Sequence, residues 1–197
     1  MNSKKMLLIS TILAAMGFAA VNTTTAYAAG IENGVKINLS ATFQDSTCKI
    51  LIGGQEYANG SLSVNEDTPF NIDFGTHSPS ELVLDKPSYG KEATVSFNDC
   101  NALTNASIKF VGTPIGKDNQ YFALSEGGEN VKKQIGIAVE STGDSETILT
   151  NGMDTPVKVT DTPVFKFSLV RIADAEEGKA IESGKVAGTV TMNVTYS

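Results

Sequence analysis

Hydrophobic and polar residues alternate near both ends of the chain, once an N-terminal apolar run has been passed. From Gly188 onward, every second residue is apolar, in the series Val190, Met192, Val194 and Tyr196. Because successive side chains of a strand point to opposite faces, this period of two predicts a half-buried β-strand that runs almost to the chain end. The same alternation near the N-terminus predicts a second amphipathic strand, with apolar positions at Val35, Ile37, Leu39, Ala41 and Phe43.

Shorter alternating runs, rich in Val and Thr, recur between these two strands. Their apolar positions are Phe70, Ile72 and Phe74; Ala93, Val95 and Phe97; Ile108 and Phe110; Ile135, Ile137 and Val139; and Phe165, Phe167 and Leu169. Turn signals separate the runs, at Gly53-Gly54, Asn59-Gly60, Gly127-Gly128 and Asn151-Gly152. No window beyond the N-terminal run has a convincing period of 3.6, and only Ala173 to Ile181 is predicted to form a short helical turn. Many short strands with turns between them predict an all-β sandwich.

The N-terminus has the three parts of a secretory signal. A basic start precedes the apolar run Met6 to Val21, and Ala26-Tyr27-Ala28 is a small-x-small cleavage site. We therefore expect residues 1–28 to be removed by a cut after Ala28. An uncleaved anchor helix is the alternative, but polar residues interrupt a run that is already short for a membrane span.

The acidic composition of the chain disfavours some classes of binding partner. The chain has 15 basic and 22 acidic residues, for a net charge of −7, and loss of the signal removes two of the lysines. An acidic surface disfavours nucleic acids and anionic membranes as partners. The length after cleavage fits one domain with a sizeable core.

Two cysteines, Cys48 and Cys100, are expected to form one disulfide in an exported protein. Closing a loop of about fifty residues would stabilise the fold by roughly 4 kcal/mol. A pair of free thiols for metal binding or catalysis is the alternative. It is disfavoured because His77 is the only histidine, and we interpret His77 as a surface loop residue.

The two amphipathic end strands have two interpretations. They are either two strands of one sheet, or one of them is made to pair with another molecule.

The order of these features resembles the pilin subunits of chaperone–usher fimbriae, of the type 1 and P pilus kind. An alternating N-terminal arm ends five positions before Cys48, and Cys100 follows an alternating strand. The chain closes on an alternating strand with a penultimate tyrosine, Tyr196, and Gly184 is the fourteenth residue from the end. Each feature alone is weak, but their joint order and spacing is specific.

The resemblance implies an incomplete immunoglobulin-like β-sandwich that a donor strand from a neighbouring subunit completes. It implies an N-terminal donor arm at residues 29–44 and a pilin domain at residues 45–197. The implied donor side chains are Val35, Ile37, Leu39, Ala41 and Phe43. The implied groove-edge strand, which also meets the chaperone, carries Gly184, Val190, Met192, Val194 and Tyr196.

The implied partners are neighbouring subunits in a head-to-tail polymer, a periplasmic chaperone and an outer-membrane usher. The implied location is a fimbrium on the cell surface, reached through the periplasm. Such a protein is a structural subunit that supports cell adhesion and needs no cofactor, metal or small-molecule substrate. Burying the four larger donor side chains would contribute on the order of 6–12 kcal/mol before the costs of binding are subtracted.

Two departures from the family pattern stand out. Many relatives have glycine where this chain has Ala41, and the two cysteines are further apart than in the commonest major pilins. Extra residues between Gly53 and Lys91 are expected as surface loops or a short strand pair. Whether the subunit is a major or a minor one stays open.

Two other classes of protein are alternatives. A tip-associated adhesin that binds a host glycan or protein is the main alternative, but the donor arm is present and there is no room for a second sandwich. A secreted β-sandwich enzyme is a weaker one, because the chain has no partner set for a catalytic triad and no local metal-binding spacing.

Overall fold

Strands account for most of the chain that the computed structural model describes, which is residues 31–42, 48–58, 69–100, 103–143, 146–172, 181 and 184–197. The strands in these ranges are β1 (Ile31–Thr42), β2 (Lys49–Ile52), β3 (Gln55–Ala58), β4 (Phe70–His77), β5 (Ser88–Asn98), β6 (Asn105–Val111), β7 (Pro114–Ile115), β8 (Tyr121–Glu126), β9 (Ile135–Ser141), β10 (Thr147–Ile148), β11 (Asp154–Lys158), β12 (Val164–Arg171) and β13 (Val186–Tyr196). One short α-helix, α1 (Glu129–Gln134), lies between β8 and β9, and two short 3-10 helices span Pro79–Glu81 and Lys117–Asn119.

The hydrogen-bonded order of the strands is β11-β6-β13-β8-β9-β12-β5-β2-β3. These neighbours pair antiparallel. β13 changes neighbour along its length, because it pairs first with β8 and then, from Thr191 onward, with β6. β1 lies off this path, between β13 and β4.

The two halves of this order pack face to face around one aromatic core. Phe110 of β6 meets Phe165 of β12 edge-to-face at a ring-centroid distance of 4.9 Å, and meets Phe167 at 5.7 Å. All three rings are almost fully buried. Offset and edge-to-face contacts at such distances are the favoured geometry of aromatic pairs. The predicted all-β, immunoglobulin-like sandwich is confirmed.

β9 departs from the predicted alternation, because its residues are buried on both faces. Ile135, Ile137 and Val139 belong to the main core, whereas Ala138 packs in a second cluster with Tyr121, Val170 and Ile172. Ile115 and Ile148, from the short strands β7 and β10, cover this second cluster. The alternation of apolar residues in the sequence therefore predicts only the strand faces that point into the main core. It does not predict the second cluster.

The turn at Gly53-Gly54 is where the sequence predicts it. It joins β2 and β3, and both glycines have positive φ angles of 57° and 83°. Paired left-handed residues match the twist of a tight hairpin, and glycine adopts them without a steric penalty. The predicted turn at Asn59-Gly60 lies outside the described residues.

Two expectations were wrong and a third lies outside the described residues. No helix was expected at α1, because a helix of six residues is too short to display a 3.6-residue period. His77 is the last residue of β4 and half-buried, so it is not a loop residue. The helical turn predicted from Ala173 falls almost wholly on residues that are not described.

Candidate functional site

The last strand presents a row of buried apolar side chains to the core. Val190, Met192 and Val194 are at most 1% exposed, whereas Thr189, Thr191 and Asn193 on the other face are half-buried. The period of two in the sequence therefore matches the burial along β13. The same strand has a neighbour on each side, and one of these neighbours is the N-terminal arm.

β1 fills the gap between β13 and β4. It runs parallel to β13, from Asn33 opposite Val186 to Thr42 opposite Thr195. On its other side it pairs antiparallel with β4, from Ile31 opposite His77 to Ile37 opposite Phe70. Without β1, the facing edges of β13 and β4 would expose unpaired backbone N–H and C=O groups along a hydrophobic groove.

Ile37 is the predicted donor residue whose side chain the structure describes, and it is 2% exposed. It lies opposite Val190 on one side and Phe70 on the other. In the same register Val35, Leu39 and Ala41 are paired with Gly188, Met192 and Val194. Phe43, the fifth predicted donor residue, lies outside the described residues.

The direction of β1 follows from its tether to the body. Cys48 is fully buried and bonded to Cys100, which confirms the predicted disulfide. Phe97 meets Tyr196 edge-to-face at 6.0 Å, so the Cys48–Cys100 bond lies at the Tyr196 end of β13. The short connection from Thr42 to Cys48 spans about 20 Å at full extension. The arm must therefore end at the Tyr196 end of the groove, which makes it parallel to β13.

Where β1 enters the groove, the backbone of β4 bulges. The β1–β4 register shifts between Asn33 and Gly34, and Gly75 has a φ of +76°. The Gly75 N–H donates to Asp73 Oδ1 at 2.8 Å, which holds this conformation. A polar cleft of about 440 Å3 opens beside the bulge, lined in part by Asp73, Glu126 and Lys185.

An aromatic and acidic cluster closes the same end. The rings of His77 and Tyr89 stack at 3.6 Å, and the Tyr89 hydroxyl donates to Glu81 Oε2 at 2.6 Å. His77 Nε2 donates to the Phe74 carbonyl oxygen at 2.5 Å. Burial, together with the hydrogen bond to Glu81, raises the pKa of Tyr89 to about 12. That hydrogen bond and the Ser78 N–H lower the pKa of Glu81.

Tyr196 marks the other end of the groove, and burial raises the pKa of its phenol above the usual range. Gly184 precedes β13 and has open space around the position of a Cβ. None of these groups forms an array suited to catalysis, and the part of the chain that the structure describes holds no cluster of metal-ligating side chains. Among the described residues, no helix is long and apolar enough to cross a membrane.

Close packing at the base of β13 leads to a first testable prediction. A Cβ on Gly188 would collide with Cδ1 of Ile137, which is fully buried, so the Ile137 side chain could shift only by displacing its core neighbours. We expect Gly188→Ala to lower the free energy of unfolding by about 1–3 kcal/mol. The matched control is Gly184→Ala, which should change it by less than about 0.5 kcal/mol. Urea melts of both variants measure this, and equal midpoints would contradict the packing.

Sequence reasoning missed the second wall of the groove. It identified Phe70, Ile72 and Phe74 as an alternating run, but nothing in that run indicates that β4 pairs with β1. Strand pairing between distant segments depends on the rest of the sandwich, so no local signal in the sequence predicts it.

A β-sandwich whose gap is filled by an added strand is an architecture suited to joining subunits. The fimbrial protein family model matches residues 37–197 of this chain. The chain belongs to the fimbrial protein family. It is a structural protein of a surface pilus and not an enzyme.

Solved structures of similar fold include pilus proteins. The P pilus rod subunit PapA is 16% identical, with 64% of this chain and 91% of that chain covered and a TM-score of 0.49. A chain from a chaperone–usher pilus structure that concerns rod uncoiling is 18% identical, with 80% and 92% covered and a TM-score of 0.49. The receptor-binding domain of the adhesin MrkD1P of Klebsiella pneumoniae is 14% identical, with 59% and 83% covered and a TM-score of 0.29. No curated protein matches the sequence.

Proposed function

We propose that this chain is a pilus subunit that polymerises by donor-strand exchange. In this proposal residues 29–44 form the donor arm and residues 45–197 form the body that accepts a neighbour's arm. Exported subunits lose residues 1–28, and a periplasmic chaperone delivers them to an outer-membrane usher.

The observation that carries the proposal is the position of β1. The arm is one added strand between β13 and β4, and its described inward side chain, Ile37, is 2% exposed. An arm that fills its own groove has the length and pattern needed to fill the same groove in another copy. Strand addition supplies ladder hydrogen bonds, and alternate side chains supply specificity.

A neighbour's arm is free of the connection that fixes the direction of β1. We propose that it enters antiparallel to β13, which is the more stable pairing per residue. Its last residue then leaves the groove at the Val186 end, and the body of its own subunit follows there. Such a contact is head-to-tail, and repetition of it produces a filament rather than a closed dimer.

A pair of substitutions on adjacent residues of the arm tests this proposal. Ile37→Asp places a carboxylate on the buried face, and Asn38→Asp places the same carboxylate at the next position, on the opposite face. Loss of the Ile37 side chain costs about 2–5 kcal/mol. This corresponds to a loss of affinity between about 30-fold and on the order of a thousandfold.

The measurement is the yield of polymers that survive SDS without heating, from the purified mature chain at high concentration. We expect Asn38→Asp to polymerise like the unmodified chain and Ile37→Asp to remain monomeric. Equal polymer yields from the two variants would show that the arm does not join subunits.

A further inference from the structure

The end of the sandwich where β1 begins carries an exposed aliphatic turn, Val83–Lys86. Val83 and Leu84 are 55% and 51% exposed, although both are large and apolar. Two adjacent exposed aliphatic side chains form a small apolar projection that a partner surface could cover.

The aliphatic turn is held firmly. The Lys86 N–H donates to the Val83 carbonyl oxygen at 3.3 Å, and the Asp85 N–H donates to the Arg171 carbonyl oxygen at 2.8 Å. Leu84 also forms a bridge with Arg171, and Leu82 just before the turn is buried. The backbone of the turn therefore holds the two apolar residues at one place on the surface.

The opposite end of the molecule carries an edge cleft of about 420 Å3. The edge cleft lies where the start of β6 and the end of β11 meet the C-terminal residue, Ser197. Its lining includes Ala106, Pro156, Val157, Lys158, Asp161 and Ser197. A cavity of about 150 Å3 holds a benzene-sized group, so the edge cleft has room for two aliphatic side chains. Pro156 has no N–H to offer another strand, so a partner binds here through side chains.

The strand registers place these two features at opposite ends. Ile31, at the start of β1, lies opposite His77, shortly before the aliphatic turn. Ser197 pairs with Asn105 at the other end, through N–H to O distances of 3.0 and 3.2 Å. β13 has 11 residues and joins the two ends, which at about 3.3 Å per residue separates them by roughly 30 Å or more.

We infer that the aliphatic turn of one subunit inserts into the edge cleft of the next copy of this chain. The inference rests on the proposed head-to-tail exchange. The arm of the donor subunit leaves the groove of the acceptor subunit at the acceptor's Val186 end. The Cys48 end of the donor subunit, which carries the donor's edge cleft, therefore lies next to the acceptor's aliphatic turn. A projection on one end that fits a cleft on the other makes a contact that propagates.

Each of the two surfaces carries one acidic and one basic residue. Asp85 and Lys86 follow the aliphatic pair, and Lys158 and Asp161 line the edge cleft. With Val83 and Leu84 in the cleft, Asp85 faces Lys158 and Lys86 faces Asp161. Opposite charges across an interface fix its register and exclude wrong orientations.

A photo-reactive amino acid at position 84 of the full mature chain tests this contact. After assembly and irradiation, mass spectrometry identifies the attached peptide of the second subunit. We expect residues 105–107 and 156–161 to be the attachment sites. The control places the same probe at Glu92, an exposed residue in the middle of β5 and away from both ends of the sandwich, and we expect no attachment to the edge cleft from there.

Charge reversal supplies a second readout. Asp85→Lys and Lys158→Asp should each lower the cross-linking yield by about tenfold, which is 1.4 kcal/mol, and the double variant should restore it. Lys86→Asp with Asp161→Lys provides an independent pair if one of the first variants folds poorly, as judged from its thermal melt.

Polymers that resist SDS report on arm exchange separately. Cross-links to the edge cleft together with such polymers support the inference. Cross-links without such polymers overturn it, because it rests on arm exchange. SDS-resistant polymers without these cross-links overturn it and leave donor-strand exchange standing. If neither cross-links nor SDS-resistant polymers form, the inference and the proposed donor-strand exchange are both overturned.

Discussion

A chain that lacks residues 29–44 is expected to lose most of its stability. Removal of the arm takes Ile37 out of the core and leaves the facing edges of β13 and β4 without a partner. The period of two predicts that the four larger apolar side chains of the arm are buried, and their burial would contribute at most about 6–12 kcal/mol. A domain of this size is stable by only about 5–15 kcal/mol in total, so the loss is comparable with the whole.

The measurement is a urea melt of oxidised residues 45–197, with and without a peptide that spans Ile31 to Gln44. A peptide at a thousand times its dissociation constant restores about 4 kcal/mol by mass action. The control peptide has aspartate in place of Ile37 and Leu39 and should have no effect. If the arm-free chain melts at the midpoint of the full chain and ignores the peptide, the sandwich is complete without β1.

The arm also shows how far the sequence alone leads. Alternation of apolar residues is a local property, so it predicted both β1 and β13, the buried face of β13 and the buried position of Ile37. The alternation does not predict which strand pairs with β1. Its pairing with β4 depends on where the rest of the sandwich places Phe70, and that position follows only from long-range packing.

The direction of β1 depends on contacts between residues that are far apart in the sequence. It is parallel to β13 because Cys48 lies at the Tyr196 end, and that location follows from the contact between Phe97 and Tyr196. A single sequence contains no information on which end of one strand lies beside which end of another. The same reasoning explains why the sequence did not foresee that the chain's own arm would occupy the groove.

The aliphatic turn and the edge cleft could not be predicted from the sequence. Val83 and Leu84 belong to a short apolar run with Leu82, and no period distinguishes the buried residue from the two exposed ones. Their exposure results from the turn that Arg171 holds in place.

Loss of the Cys48–Cys100 bond is expected to have the second largest effect. The bond joins residues 52 positions apart, and in the chain-entropy model such a cross-link contributes about 4 kcal/mol by restricting the unfolded chain. We therefore expect the variant with Cys48→Ala and Cys100→Ala to unfold at a clearly lower urea concentration than the oxidised chain.

The bond acts on the arm as well as on the body, because it fixes Cys48 at the end of the groove where Thr42 must arrive. Urea melts with and without dithiothreitol measure the free energy of unfolding in each case. Reduction should lower it in the unmodified chain by about 4 kcal/mol and leave the double alanine variant unchanged. An unmodified chain whose midpoint does not move on full reduction would show that the strands and the core hold the Cys48 end in place by themselves.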